Sequence, residues 1–132
     1  MSRIYVVDDD RDIVESITMV LESEGHKVAA QFDDVDVCKR AEKFNADLVL
    51  LDVMFPEDES AGFKMARALR HNQATRDLPI LMLSAINEKG YYAGTFSNRD
   101  RDDSYLPVNE FVEKPIQPAD LIKKVNALLK KP

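Results

Sequence analysis

Large aliphatic residues come in short unbroken runs along this chain, and each of the strongest runs stops on a polar residue. Ile4-Tyr5-Val6-Val7 ends on Asp8-Asp9-Asp10, Leu48-Val49-Leu50-Leu51 on Asp52, and Ile80-Leu81-Met82-Leu83 on Ser84. Runs this short do not make helices, and their lack of alternation suits strands buried on both faces of a parallel sheet. His26–Phe32 and Glu110–Glu113 read as two further strands, the second leading into Lys114-Pro115. Between the strands the apolar period lengthens. Ile13, Ile17, Val20 and Leu21 share one helical face, stopped by Gly25. Val37, Ala41 and Phe44 share another, with Asp33-Asp34 placed to cap it. A third helix is expected over Phe63–His71, and Pro118 opens a last one carrying Leu121, Val125, Leu128 and Leu129. Strand and helix alternating in this way predict an α/β fold, a doubly wound five-stranded parallel sheet.

One stretch breaks the rhythm. Asn87–Asn109 contains Gly90, Gly94, Pro107 and the polar run Ser97–Ser104, with no clean apolar period. The expectation here is at most a short helix near Glu88–Ala93, followed by a long loop. Tyr91, Tyr92, Phe96, Tyr105 and Leu106 are numerous enough to pin that loop to the body of the protein.

Length and charge narrow the possibilities further. The 132 residues suit one domain with a real core. Eighteen Lys+Arg against 24 Asp+Glu leave a net charge of −6, which disfavours nonspecific binding to nucleic acid or an anionic membrane. Cys38 is the single cysteine, so no internal disulfide can form and a cytoplasmic setting is expected. His26 and His71 lie far apart without zinc-like spacing. No signal peptide opens the sequence and no run approaches membrane-spanning length.

A lone aspartate at a strand end commonly just starts a turn. Here Asp8, Asp9, Asp52, Ser84 and Lys114 all follow strands, and a doubly wound sheet gathers such ends along one edge. Carboxylates crowded together repel, so they need protons or a cation. Mg²⁺ fits, because it takes one or two carboxylates together with water, carbonyl and phosphate oxygens. The Lys114 ammonium and the Ser84 hydroxyl could hold phosphoryl oxygens, leaving Asp52 to attack phosphorus and form an aspartyl phosphate. No glycine-rich phosphate loop is present, so a nucleotide is not the expected donor.

These residues resemble the receiver domains of two-component response regulators, over nearly the whole chain. Asp8-Asp9 match the acidic pair, Asp52 the phosphoacceptor, Ser84 the switch hydroxyl and Lys114-Pro115 the lysine–proline step. Leu50-Leu51-Asp52-Val53-Met54-Phe55-Pro56 looks like the phosphorylation-site segment. The resemblance implies a flavodoxin-like, CheY-like fold with an irregular fourth-helix region. It implies Mg²⁺ held by Asp9, Asp52 and the Met54 carbonyl, with Asp8 acting through water, and a cis peptide before Pro115. It places Phe111 at the rotating aromatic position of the switch, where a plain core phenylalanine is the competing reading. It further implies phosphorylation by a sensor histidine kinase or histidine phosphotransfer protein, and output through a downstream protein that the residues do not identify.

Two features depart from the family pattern. Gly62 lies ten residues beyond Asp52, further than usual, so Glu57-Asp58-Glu59 reads as an acidic insertion near the site or a solvated loop. Thirty positions separate Ser84 from Lys114, also more than usual, and the customary amphipathic helix between them is missing from the pattern. The sequence stops shortly after Lys130, so the expectation is a receiver domain over 1–132 without an output domain, either stand-alone or excised from a larger protein, with output through protein contact or by passing the phosphoryl group onward to a histidine. Two rivals remain: a degenerate receiver acting without phosphorylation, and a haloacid-dehalogenase-type phosphohydrolase with Asp8 as nucleophile and Asp10 as general acid. Against the latter, Asp12 stands where that family has Thr or Val, and the length leaves no room for a cap domain.

Overall fold

The computed structural model describes residues 2–52, 61–85, 110–114 and 117–129, with backbone alone at 61–63, 84–85, 110–111 and 113–114. The Met54 carbonyl, the acidic run 57–59, the segment 87–109 and the peptide before Pro115 therefore lie outside the described residues. The elements are β1 (Arg3–Val7), α1 (Arg11–Ser23), β2 (Lys27–Gln31), α2 (Val37–Phe44), β3 (Leu48–Asp52), α3 (Ala61–His71), β4 (Ile80–Ala85), β5 (Glu110–Lys114) and α4 (Pro118–Leu129).

All five strands run parallel, as the residue pattern predicts, in the order β2-β1-β3-β4-β5 of the flavodoxin-like fold that the resemblance implies. Side chains alternate between the two faces of the sheet. Ile4, Val6, Leu48, Leu50, Leu81, Leu83 and Val112 pack with Val14, Ile17 and Leu21 of α1 and Leu121, Val125 and Leu128 of α4. Tyr5, Val7, Val49, Leu51, Ile80 and Met82 pack with Val37 and Ala41 of α2 and Met65, Ala66 and Leu69 of α3. Every residue of β3 is buried, which is why that strand carries no polar side chain before Asp52.

Element ends follow from local hydrogen bonds. The Asp10 carboxylate accepts from the Asp12 and Ile13 N–H groups and caps α1. At the other end Gly25 takes φ 90°, and the His26 and Gly25 N–H groups return to the Leu21 and Glu22 carbonyls. That bond removes His26 from the sheet, so β2 begins one residue later than the apolar pattern implies, with the Lys27 N–H on the Ser2 carbonyl at 2.8 Å. The start of α2 also corrects the sequence reading. Asp33 does not cap it: its Oδ1 accepts the Val35 N–H at 3.0 Å, a local turn that delays the helix. Asp36 precedes Val37 instead, in the left-handed region at φ 52° and without a side-chain cap bond. Asn45 ends α2 at φ 58°, a conformation asparagine tolerates better than most residues. α3 starts at Ala61, two residues before the expected Phe63. Beyond it the buried Thr75 hydroxyl donates to the Leu69 carbonyl at 2.7 Å, fastening the turn that leads to β4.

Candidate functional site

The register of the strands decides what meets at their carboxyl ends. β1 and β3 pair from Ile4↔Leu48 to Val7↔Leu51, so one further step sets Asp8 level with Asp52. Both extend the even-numbered positions of their strands, which face α1 and α4. β3 and β4 pair Asp52 with Leu83, placing Ser84 one residue beyond. β4 and β5 pair Ala85 with Lys114. The five residues proposed from strand ends thus reach one edge of the sheet. β1 is the strand from which the chain leaves in one direction to β2 and, through β3, in the other. Open α/β sheets bind their ligands at such a switch point.

Asp8 and Asp52 are buried there, at 0% and 3% exposure, while Asp9 is open to solvent. One carboxylate oxygen from each lies within 4.8 Å of the other two, the one candidate metal-holding cluster among the described residues. The Asp8 Oδ1 accepts the Asp10 N–H at 2.9 Å, and the Asp8 N–H donates to the Gln31 carbonyl at 3.2 Å. Two buried acids and one exposed acid this close form an oxygen-only donor set with an open side. That set fits a hard divalent ion, whose opposite ligands sit about 4 Å apart for Mg²⁺. Asp10 is not part of the cluster: its Oδ1 accepts two N–H groups in the first turn of α1, which gives it a capping role and argues against the general-acid role of the dehalogenase-type reading.

Phe111 pairs with Met82 in the interior of the β4–β5 ladder, three residues before Lys114. Sequence reasoning overlooked one buried polar group next to the cluster. Gln31, 3% exposed, accepts the Tyr5 hydroxyl at 2.6 Å, from the residue diagonal to it across the β1–β2 pair. The signal was a glutamine and a tyrosine of the same parity inside otherwise aliphatic strands.

A 2-1-3-4-5 parallel sheet with clustered carboxylates at its switch point defines the class of flavodoxin-like α/β proteins with an acidic site at the strand ends. Within it the chain belongs to the response regulator receiver domain family, whose model matches residues 4–126. The DNA-binding dual master transcriptional regulator RpaA of Synechocystis is 30% identical over 99% of this chain and 50% of its own length. The transcriptional regulatory protein ResD of Bacillus subtilis is 32% identical over 98% of this chain and 49% of its own length. The chain thus spans about half the length of these curated relatives. Among solved structures, the N-terminal domain of the nisin resistance regulator NsrR superposes with a TM-score of 0.78 at 26% identity, covering 98% of this chain and 99% of that one. The receiver domain of the sensor histidine kinase PA1611 from Pseudomonas aeruginosa, with magnesium in its active-site cleft, shares the fold at a TM-score of 0.76. It is 22% identical over 98% of each chain. Receiver domains are signalling domains of two-component systems rather than classical enzymes, and phosphorylation and magnesium are typical of the family. Among the described residues no helix is long and apolar enough to cross a membrane.

Proposed function

We propose that this chain accepts a phosphoryl group on Asp52 from a phosphohistidine of a sensor kinase or phosphotransfer protein, and signals by the change of shape that follows. The observation that carries the reading is the cluster of Asp8, Asp9 and Asp52 at the switch point, with two of its three acids buried. A carboxylate oxygen of Asp52 forms the new bond to phosphorus. The phosphorus–nitrogen bond of the donor breaks, and its electron pair stays with the imidazole. Asp9, Asp52 and the Met54 carbonyl would hold Mg²⁺, with Asp8 acting through water. The ion would supply charge neutralisation for the acids and for the phosphoryl oxygens. Lys114 holds a second phosphoryl oxygen as a point charge, and the Ser84 hydroxyl a third. Engagement of Ser84 and reorientation of Phe111 carry the change to the surface. The setting is cytoplasmic, and output from this segment is by protein contact, in keeping with its net charge of −6.

Phosphorylation by acetyl phosphate, with the modified residue mapped by mass spectrometry, tests the reading. Label is expected on Asp52, dependent on Mg²⁺, absent from Asp52→Asn and strongly reduced in Asp9→Ala. Label on Asp8 would turn the protein into a phosphohydrolase intermediate, and no label at all would make it a degenerate receiver.

A further inference from the structure

Gln31 ends β2, the edge strand, and it is the one residue of that strand that is fully buried. Its side chain is bonded on both sides. Oε1 accepts the Tyr5 hydroxyl at 2.6 Å, on the side of the sheet. Nε2 donates to the Asp33 carbonyl at 2.7 Å and the Val35 carbonyl at 3.0 Å, and lies 3.3 Å from Asp33 Oδ1, on the side of the β2–α2 loop. Asp33 Oδ1 in turn holds the Val35 N–H at 3.0 Å and meets Arg40 at 3.5 Å. The main-chain oxygen of the same glutamine accepts the Asp8 N–H at 3.2 Å.

An edge strand is supported from one side only, and its end is where local opening begins. Asp8 therefore leans its backbone on the end of an edge strand. We infer that Gln31 is a positioning residue of the acidic site: its side chain clamps the end of β2 between Tyr5 and the β2–α2 loop, which fixes the carbonyl that anchors Asp8. This inference rests on the metal-binding reading above. The competing account is that Gln31 merely satisfies a buried tyrosine hydroxyl, with no consequence for the acids.

The two accounts separate in a pair of variants. Gln31→Leu is close in size and removes every side-chain bond of the clamp. The double variant Tyr5→Phe with Gln31→Leu also removes the hydroxyl; deleting both partners of that buried bond is close to neutral for stability, and the Asp33 and Val35 carbonyls that lose the Nε2 donor belong to exposed residues within reach of water. Mg²⁺ affinity is measured by titration, and exchange of the Asp8 amide by NMR without metal, relative to the Val6 amide in the middle of the sheet. Clamping predicts an affinity about tenfold weaker in both variants, the low end for groups that orient metal ligands from behind. It predicts faster Asp8 exchange in both, even where the double variant regains wild-type stability. Wild-type affinity and wild-type Asp8 exchange in the stable double variant overturn the inference. Asp9→Ala serves as the control on the site: if it binds Mg²⁺ like the wild type, the metal assignment falls, and the Asp8 exchange rate alone decides whether the clamp exists.

Discussion

Replacing Asp52 by asparagine should stabilise the protein in the absence of divalent ions. Asp8 and Asp52 are both buried, and their nearest carboxylate oxygens are no more than 4.8 Å apart. For two unit charges at 4.8 Å and an effective dielectric of about 20, the repulsion is about 3.5 kcal/mol. Asp52 has a polar interaction of its own that asparagine makes less strongly, which offsets part of the gain, so a net gain of about 1–2 kcal/mol is the expectation. Asparagine keeps the size of the side chain and one acceptor oxygen, which preserves packing at the end of β3. For a chain of 132 residues this gain corresponds to a rise in Tm of roughly 3–10 °C. The assay is thermal unfolding in EDTA and again in excess Mg²⁺. On the proposed binding of Mg²⁺ to the folded state, wild-type protein should gain about 1.4 kcal/mol when the ion stands at tenfold its dissociation constant. Asp52→Asn should gain much less. An unchanged or lower Tm for Asp52→Asn in EDTA would refute the crowding argument. A Mg²⁺-dependent rise equal to that of the wild type would remove Asp52 from the ion's ligands.

Asp10→Ala should lower stability by about 1 kcal/mol in urea denaturation through loss of the α1 cap, with Asp10→Asn close to neutral. A loss of phosphorylation far out of proportion to that destabilisation would restore an acid role for Asp10. Burial beside α3 pushes the Cys38 thiol above its ordinary value, with Glu42 adding to the rise and the Thr75 hydroxyl opposing it. The fold therefore prefers the protonated thiol, a contribution complete below the unfolded thiol's pKa and lost as pH climbs through the native one. Alkylation by iodoacetamide at pH 8 should be slower in the native protein than in urea; equal rates would show that the thiol is neither buried nor perturbed.

What the sequence revealed and what it concealed divide along physical lines. The apolar run ending at Asp52 is legible because a strand buried on both faces has no use for polar side chains, and all five residues of β3 are indeed buried. The acids were legible for the same reason, each standing where such a run stops. Their meeting was a weaker deduction, since it depends on a register that no local pattern contains. Had β1 slipped by one residue against β3, Asp9 rather than Asp8 would stand level with Asp52 and the buried acid would point to the opposite face. The packing of alternate aliphatics against α1 and α4 excludes that slip, because it would turn Ile4 and Val6 out of the layer they fill. Helix starts were harder to read. Asp33, Asp34 and Asp36 are equivalent as capping candidates by type, and the choice among them fell to the Asx turn at Asp33, which is tied down by Gln31 from another element. Gln31 itself shows the limit most clearly. In the sequence it is a polar residue inside a modest strand; only the parallel pairing of β2 with β1 brings it diagonal to Tyr5 and sets its carbonyl against the Asp8 amide. The candidate site residues announce themselves by type and place, whereas a residue such as Gln31 is defined by contacts between strands that are distant in the chain.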